Sequence, residues 1–323
     1  LCSLSPVGTL AAPTGGVVRS GSATISTSGA VTNVTQSSQK AIINWQGFSI
    51  AADETVNFRQ PNSSSLTLNR VIGNEQSVIE GTLQANGKVF LVNSNGVLFS
   101  QGASVNVGSL VASTLNLSDD DFNADNFVFR TTGGTGRVVN QGTITAQEGG
   151  YVALLGTSVS NQGVIAATKG TVALSGGNKI TLNFNGDALL SVTIDEGALN
   201  ALVENRQAIY ADGGTVLLTA KAADELLGAQ VNNSGVIQAR TIDDLQGSIT
   251  LYARVDEGTP PGALFIPFCY YEAAVNKLTN PVLDPFGKIP EFKYCAVRVA
   301  AGGHVTPASS YGGGQALEKM GIV

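Results

Sequence analysis

Between Gly81 and Thr114, apolar positions alternate with small polar ones: Val89 and Leu91, then Val97 and Phe99, then Val105 and Val107. A period of two is that of short strands burying one face. The pattern is broken at Asn86-Gly87 and at Asn95-Gly96. Both residue types tolerate the left-handed backbone that sharp corners need. No helical period survives, so the stretch predicts strand, corner, strand, corner.

The same pattern recurs downstream. One half-unit appears as Gly81-Thr-Leu-Gln-Ala, Gly142-Thr-Ile-Thr-Ala, Gly163-Val-Ile-Ala-Ala and Gly235-Val-Ile-Gln-Ala. A second appears as Gly87-Lys-Val-Phe-Leu, Gly150-Tyr-Val-Ala-Leu, Gly170-Thr-Val-Ala-Leu, Gly214-Thr-Val-Leu-Leu and Gly247-Ser-Ile-Thr-Leu. A spacing near 20 residues, built from strands and corners without helices, predicts a solenoid whose turns stack on one another. The expected fold is all-β, a right-handed parallel β-helix (solenoid) with an extra-helical hairpin and short helical insertions. About ten turns are expected between residues 30 and 253, with Val89, Leu91, Ile144, Val152, Leu154, Ile165, Val172, Leu174, Val216, Leu218, Ile237, Ile249 and Leu251 pointing inward. Asn140, Asn161 and Asn233 precede the first-half glycines. Stacked at one corner, they can hydrogen-bond along a ladder that offsets the burial of their amides.

A family resemblance rests on consecutive motifs: Asn44-Trp45-Gln46-Gly47-Phe48-Ser49-Ile50, Val56-Asn57-Phe58-Arg59-Gln60-Pro61, and Leu68-Asn69-Arg70-Val71-Ile72-Gly73. It continues through Val92-Asn93-Ser94-Asn95-Gly96-Val97-Leu98-Phe99 and Val105-Asn106-Val107-Gly108-Ser109-Leu110-Val111-Ala112-Ser113-Thr114. In order and spacing, residues 43–114 resemble the secretion domain of two-partner-secretion exoproteins, the filamentous-haemagglutinin and high-molecular-weight-adhesin type. A weaker likeness runs to about Ala253. The resemblance implies an exoprotein at the surface of, or released from, a Gram-negative-type bacterium, addressed to a partner outer-membrane β-barrel transporter and nucleating its β-helix outside. It also implies that Asn93, Asn95 and Gly96 act as secretion-motif residues; their other reading is a tight corner. The family usually has proline where this chain has Ser94.

Composition agrees with a neutral solenoid surface. Charged residues are 13% of the chain, and there are 39 glycines. The net charge of −6, without basic clusters, argues against a nucleic-acid partner. No apolar run approaches the ~20 residues of a spanning helix. Residues 1–12 read as the tail of a secretory signal or as a lead-in strand. Residues 13–42, with the strand Ser22–Ser26, are expected to cap the first turn of a secretion-type domain spanning 13–253.

The remaining features are local. Trp45, the single tryptophan, is read as packing rather than as a sugar-stacking platform. The runs Asp119-Asp120-Asp121 and Asp243-Asp244 suit a solvated loop or a helix N-terminus better than a calcium site. Residues 181–194 predict a hairpin turning at Asn185-Gly186, and Ala198–Ala208 and Ala220–Gly228 each suggest a short helix. From Thr259-Pro260-Pro261-Gly262 the repeat is lost, and residues 254–323 form a non-repeat appendix. There Cys269 and Cys295 are a candidate disulfide closing a loop of roughly 25 residues; the alternative is two reduced or buried cysteines. The one histidine, His304, is a surface residue on this reading. No catalytic motif, metal spacing or cofactor signature is present, and Lys88, Lys169 and Lys179 form no cluster. The chain is therefore read as non-enzymatic, with a β-helix polysaccharide lyase as the lesser alternative. A further alternative is the subunit of a self-stacking surface filament, which would associate end to end. Host or cell-surface glycans or proteins are the open class of surface ligands.

Overall fold

The computed structural model describes residues 12–223 and 230–240, and the backbone of 248–250. Three sheets form the sides of a solenoid. The first carries eight parallel strands: Lys40–Trp45, Leu66–Val71, Lys88–Val92, Ser109–Ser113, Tyr151–Gly156, Thr171–Gly176, Thr215–Ala220 and Ser248–Thr250. The second carries Val31–Gln36, Thr55–Arg59, Thr82–Ala85, Ser104–Val107, Thr143–Ala146, Val164–Ala166, Ala208–Tyr210 and Val236–Gln238. The third side has six strands: Ser77–Ile79, Val97–Phe99, Val138–Asn140, Ser158–Asn161, Leu202–Asn205 and Gln230–Asn233. The fold is the expected parallel β-helix.

Inward residues form one continuous core along the axis. Every expected inward residue from Val89 to Ile237 belongs to it and is buried. Of the last two, Ile249 pairs through its backbone with Val216, its side chain lying outside the described residues, as does the whole of Leu251. The expected cap is also present. Val17–Ser20 runs antiparallel on Lys40–Trp45, and Ala23–Ser28 antiparallel on Val31–Gln36. Both sheet edges at this end are thus covered by strands that cannot continue the parallel stack.

The turn count differs from expectation: eight rungs are described, not about ten. At about 4.8 Å per rung the stack is on the order of 35 Å, not 50 Å. The reason is that two turns are about twice the 20–22 residues of the shortest ones. Tyr151 sits on Ser109, 42 residues back, and Asn205 on Asn161, 44 back, whereas Asn161 sits on Asn140, only 21 back. Each long turn spends about one turn's length on an excursion.

The two excursions meet over the outer face of the first sheet. The first contains the helix Asp119–Asn123 and the strand Val128–Arg130. Ser118 caps the helix, its Oγ accepting from Asp121 N at 3.1 Å, so the acidic run does occupy a helix N-terminus. Asp119 pairs with Arg70 at 2.7 Å and Asp121 with Arg130 at 2.9 Å. The second excursion is the hairpin Lys179–Asn185 and Ala188–Glu196, which joins Val128–Arg130 in a three-stranded antiparallel sheet. Its closing pair is Asn185 with Ala188, so the turn residues are Gly186-Asp187, one place beyond the expected Asn185-Gly186. Gly186 supplies the positive φ of 59°.

Beneath this cover lies a second apolar cluster. Phe90 meets Phe122, Phe127 and Phe129 at 6.5, 5.6 and 6.1 Å between ring centroids. The first sheet is consequently buried on both faces: all residues of Ser109–Ser113, Tyr151–Gly156 and Thr171–Gly176 are buried. Unbroken apolar runs such as Val89-Phe90-Leu91-Val92 are the sequence trace of that double burial. A buried Phe contributes roughly 1.5–3 kcal/mol, whereas an exposed ion pair contributes about 1 kcal/mol or less. Aromatic burial therefore holds the cover down. The Lys88–Asp187 pair, at 2.6 Å, only fixes where the hairpin tip lands.

That pair has a testable pH signature. The hydrogen bond from Lys88, then that from Ser64, holds the Asp187 carboxyl below its ordinary value of 3.8. A depressed carboxylate pKa contributes stability above the unfolded value and loses it as pH falls through the folded one. Hydrogen exchange of the hairpin amides, taken relative to its intrinsic rate at each pH, should therefore quicken below pH 3.8. At neutral pH Asp187→Asn should quicken it by less than about fivefold, since the group is largely exposed, and should flatten the acid response. An acid response identical in the variant would assign it to other carboxylates.

One helix is absent. Residues 198–208 contain the strand Leu202–Asn205 and begin the strand Ala208–Tyr210. Val203 and Asn205 point inward against Val159 and Asn161, so stacking overrides the local helical pattern of Ala-Leu-Asn-Ala-Leu. Of the other expected helix, Ala220 ends a strand and residues 224–229 lie outside the described residues.

Candidate functional site

The corner between Val92 and Val97 turns the chain from the first sheet to the third. Its three motif residues have different surroundings. Asn93 is fully buried. Its Nδ2 donates to Glu75 O and Ser77 Oγ, both at 2.9 Å. Its Oδ1 accepts from Asn95 N at 3.0 Å, the local side-chain turn that asparagine makes with its own backbone. Gly96 is buried with φ of 120°, and its N–H donates to Asn93 O at 3.0 Å. A side chain there would be strained and would crowd Gln76.

Asn95 is the exposed member. Its Nδ2 donates to Gly73 O on the preceding turn at 3.0 Å and to Asn93 Oδ1 at 3.2 Å. On the other side Gly136 N donates to Ser94 O at 3.2 Å, and a Cβ on Gly136 would strike the backbone of Asn95 and Gly96. The corner is thus sandwiched between loops 72–76 and 132–137, and those contacts supply the stiffness that a proline in place of Ser94 would bring.

Several other motif side chains are consumed internally, while Gln46, Arg59 and Ile72 are exposed. Trp45 is buried, donates from Nε1 to Asn69 Oδ1 at 3.0 Å and packs edge-on against Phe48 at 5.4 Å. Packing, not sugar stacking, is its role. Gln60 is buried and donates from Nε2 to Ser65 O, Thr67 Oγ1 and Lys88 O, while its Oε1 accepts from Gly87 N. Arg70 reaches Leu117 O at 2.6 Å and Asn116 Oδ1 at 3.1 Å, tying the solenoid to its cover. The three singled-out lysines are separately paired, Lys88 with Asp187, Lys169 with Glu148 and Lys179 with Glu196.

The asparagine ladder exists and is longer than the sequence suggested. Asn140 Nδ2 donates to Asn161 Oδ1 at 2.8 Å, Asn161 to Asn205 at 2.7 Å, and Asn205 to Asn233 at 2.7 Å. Asn205 escaped notice because Gln207 stands where the other rungs have glycine. The Asn-x-x-x-Ile spacing to Ile209, shared with Asn161 and Ile165, is the signal that identifies it. Cys269, Cys295, His304 and Asp243-Asp244 lie outside the described residues, as do residues 1–11.

Comparison with known proteins agrees with the fold. A family model described as the TPS secretion domain matches residues 10–266. Two proteins named heme/hemopexin-binding protein, from Haemophilus influenzae, are 36% and 35% identical over 250 and 243 residues, covering 75% and 68% of this chain. The matched spans are 27% and 26% of those relatives, so the chain spans about a quarter of their length. The crystal structure of the HMW1 secretion domain from Haemophilus influenzae superposes with a TM-score of 0.60 at 32% identity, over 70% of this chain and 62% of that one. A second model, the molydopterin dinucleotide binding domain, matches residues 242–296. In keeping with it, an F420-dependent formate dehydrogenase subunit alpha from Methanocaldococcus jannaschii is 37% identical over 76 residues, 24% of this chain and 11% of that one. Of residues 242–296 only Ser248–Thr250 are described, and their backbone pairs with Thr215–Leu217 as the eighth rung.

Proposed function

The chain belongs to the TPS secretion domain family, and on that premise we propose that it is the export-directing part of a secreted exoprotein, read by its partner outer-membrane transporter at the Asn93–Gly96 corner. The observation that carries the assignment is the division of labour within the corner. Asn93 is spent on buried hydrogen bonds and Gly96 on backbone geometry, while Asn95 alone presents its side chain to solvent. A recognition residue has to be accessible and rigidly held, and Asn95 is both. The stack is also suited to passage in an unfolded state, because each rung rests on the one before and folding can propagate as the chain emerges.

The test separates recognition from folding. Asn95→Ala, expressed with the cognate transporter, is expected to cut the exported fraction several-fold while the purified domain melts within about 2 °C of wild type. Asn93→Ala is expected to lower melting by about 4–8 °C, because it strips partners from Ser77 and from the Asn95 amide. Export of Asn95→Ala at the wild-type level would remove the corner as the recognition element.

The end-to-end filament is the weaker reading, since the first rung is sealed by antiparallel strands. We read residues 13–253 as non-enzymatic, with the buried motif side chains Trp45, Gln60 and Asn93 committed to structure, and residues 254–323 as a separate module.

A further inference from the structure

A cleft of about 550 Å³ opens where the hairpin tip and the Asp125–Phe127 segment come down on the solenoid. That volume falls within the range of small-molecule sites. Its apolar lining is aromatic: Phe184 meets Phe127 at 5.0 Å and Tyr151 at 5.1 Å between ring centroids. Its charged lining consists of two ion pairs, Lys40 with Asp125 at 2.7 Å and Lys88 with Asp187 at 2.6 Å.

Tyr151 is the group that the fold does not explain. Its side chain is 1% exposed, and among the described residues its hydroxyl makes no hydrogen bond. Tyr151 is one of the residues that line the cleft. Burial, then the nearby Asp187 carboxylate, pushes its pKa up, so it is a neutral donor and acceptor at ordinary pH. A phenol so placed costs stability unless something pairs with it.

The lining selects the ligand class. Two ammonium and two carboxylate groups balance, so an anion would meet Asp125 and Asp187 and a cation would meet Lys40 and Lys88. A purely apolar ligand would leave the Tyr151 hydroxyl and the polar rim unpaired. What remains is a neutral molecule with one apolar face for the aromatic rings and hydroxyls around its edge. We propose that this cleft binds a neutral sugar unit, with the Tyr151 hydroxyl as its deepest hydrogen-bond partner. The site is independent of the export corner.

Saturation-transfer NMR on the whole chain tests it, using methyl β-galactoside, methyl β-glucoside, N-acetylglucosamine and lactose as probes and sialic acid as an anionic comparator. At least one neutral probe should receive saturation at its ring C–H protons, and sialic acid should not. Tyr151→Phe should weaken that binding about tenfold, the loss of one buried hydrogen bond. Its melting temperature should not fall, because no bond within the protein is removed. Silence from all four neutral probes would overturn the proposal. So would binding unchanged in Tyr151→Phe, transfer to sialic acid matching that to the sugars, or a destabilised variant.

Discussion

Gly170→Ala is expected to destabilise the domain by at least about 3 kcal/mol, read in denaturant titration, or by a fall in melting temperature of roughly 6–12 °C. Gly87, Gly108, Gly150, Gly170 and Gly214 stand in a column at the entry to the first sheet. In each successive pair the later glycine would drive a Cβ into the carbonyl oxygen of the earlier one. At Gly170 that oxygen belongs to Gly150, which also accepts the hydrogen bond of Thr171 N. Backbone in the middle of a stack cannot retreat without shifting the rungs on either side. Gly149→Ala is the control: φ is 77° there, but no atom lies within reach of the added carbon. It should cost only the left-handed backbone penalty of about 1–2 kcal/mol. Equal losses at the two sites would mean that backbone conformation, not close approach, makes the glycine necessary.

Asn161→Leu is expected to lose about 3–5 kcal/mol by the same measurement. Leucine keeps the approximate volume, so the loss reports hydrogen bonding rather than a cavity. Four partners lose a bond: Asn140 Nδ2, Gly163 N, Asn205 Oδ1 and Ala208 O. A buried polar group left unpaired costs about 1–3 kcal/mol. All three described links donate in the same direction along the axis, an arrangement in which successive amides polarise one another. Asn233→Leu, at the half-buried last described member, should lose less than half as much. A loss below about 1 kcal/mol at Asn161 would show that the ladder is tolerated rather than stabilising.

The candidate site was legible in part. The text Asn93-Ser94-Asn95-Gly96 marked a corner and carried the family resemblance, but both asparagines read alike in one dimension. Their difference comes from the neighbouring turn, where Glu75 and Ser77 receive Asn93 and the Gly73 carbonyl holds Asn95 at the surface. Tyr151 was counted only as the second residue of a half-unit. Nothing adjacent to it in sequence announces Phe184 or Asp187, which reach it from the hairpin.

By itself, the sequence determined the strand periodicity, the 20-residue repeat and the inward residues from Val89 to Ile237. These are local properties: alternation decides which side of a strand is buried, and a glycine or asparagine decides where the chain can turn. Only the tertiary structure decided the number of rungs, the place of Asn205 in the ladder, the double burial of the first sheet and the landing of Asp187 on Ser64 and Lys88. Those two contacts span 123 and 99 residues. The physical reason is that a solenoid with insertions pairs residues by rung rather than by chain distance. Each excursion resets the count between neighbours, and only the folded stack reveals which surfaces it returns to cover.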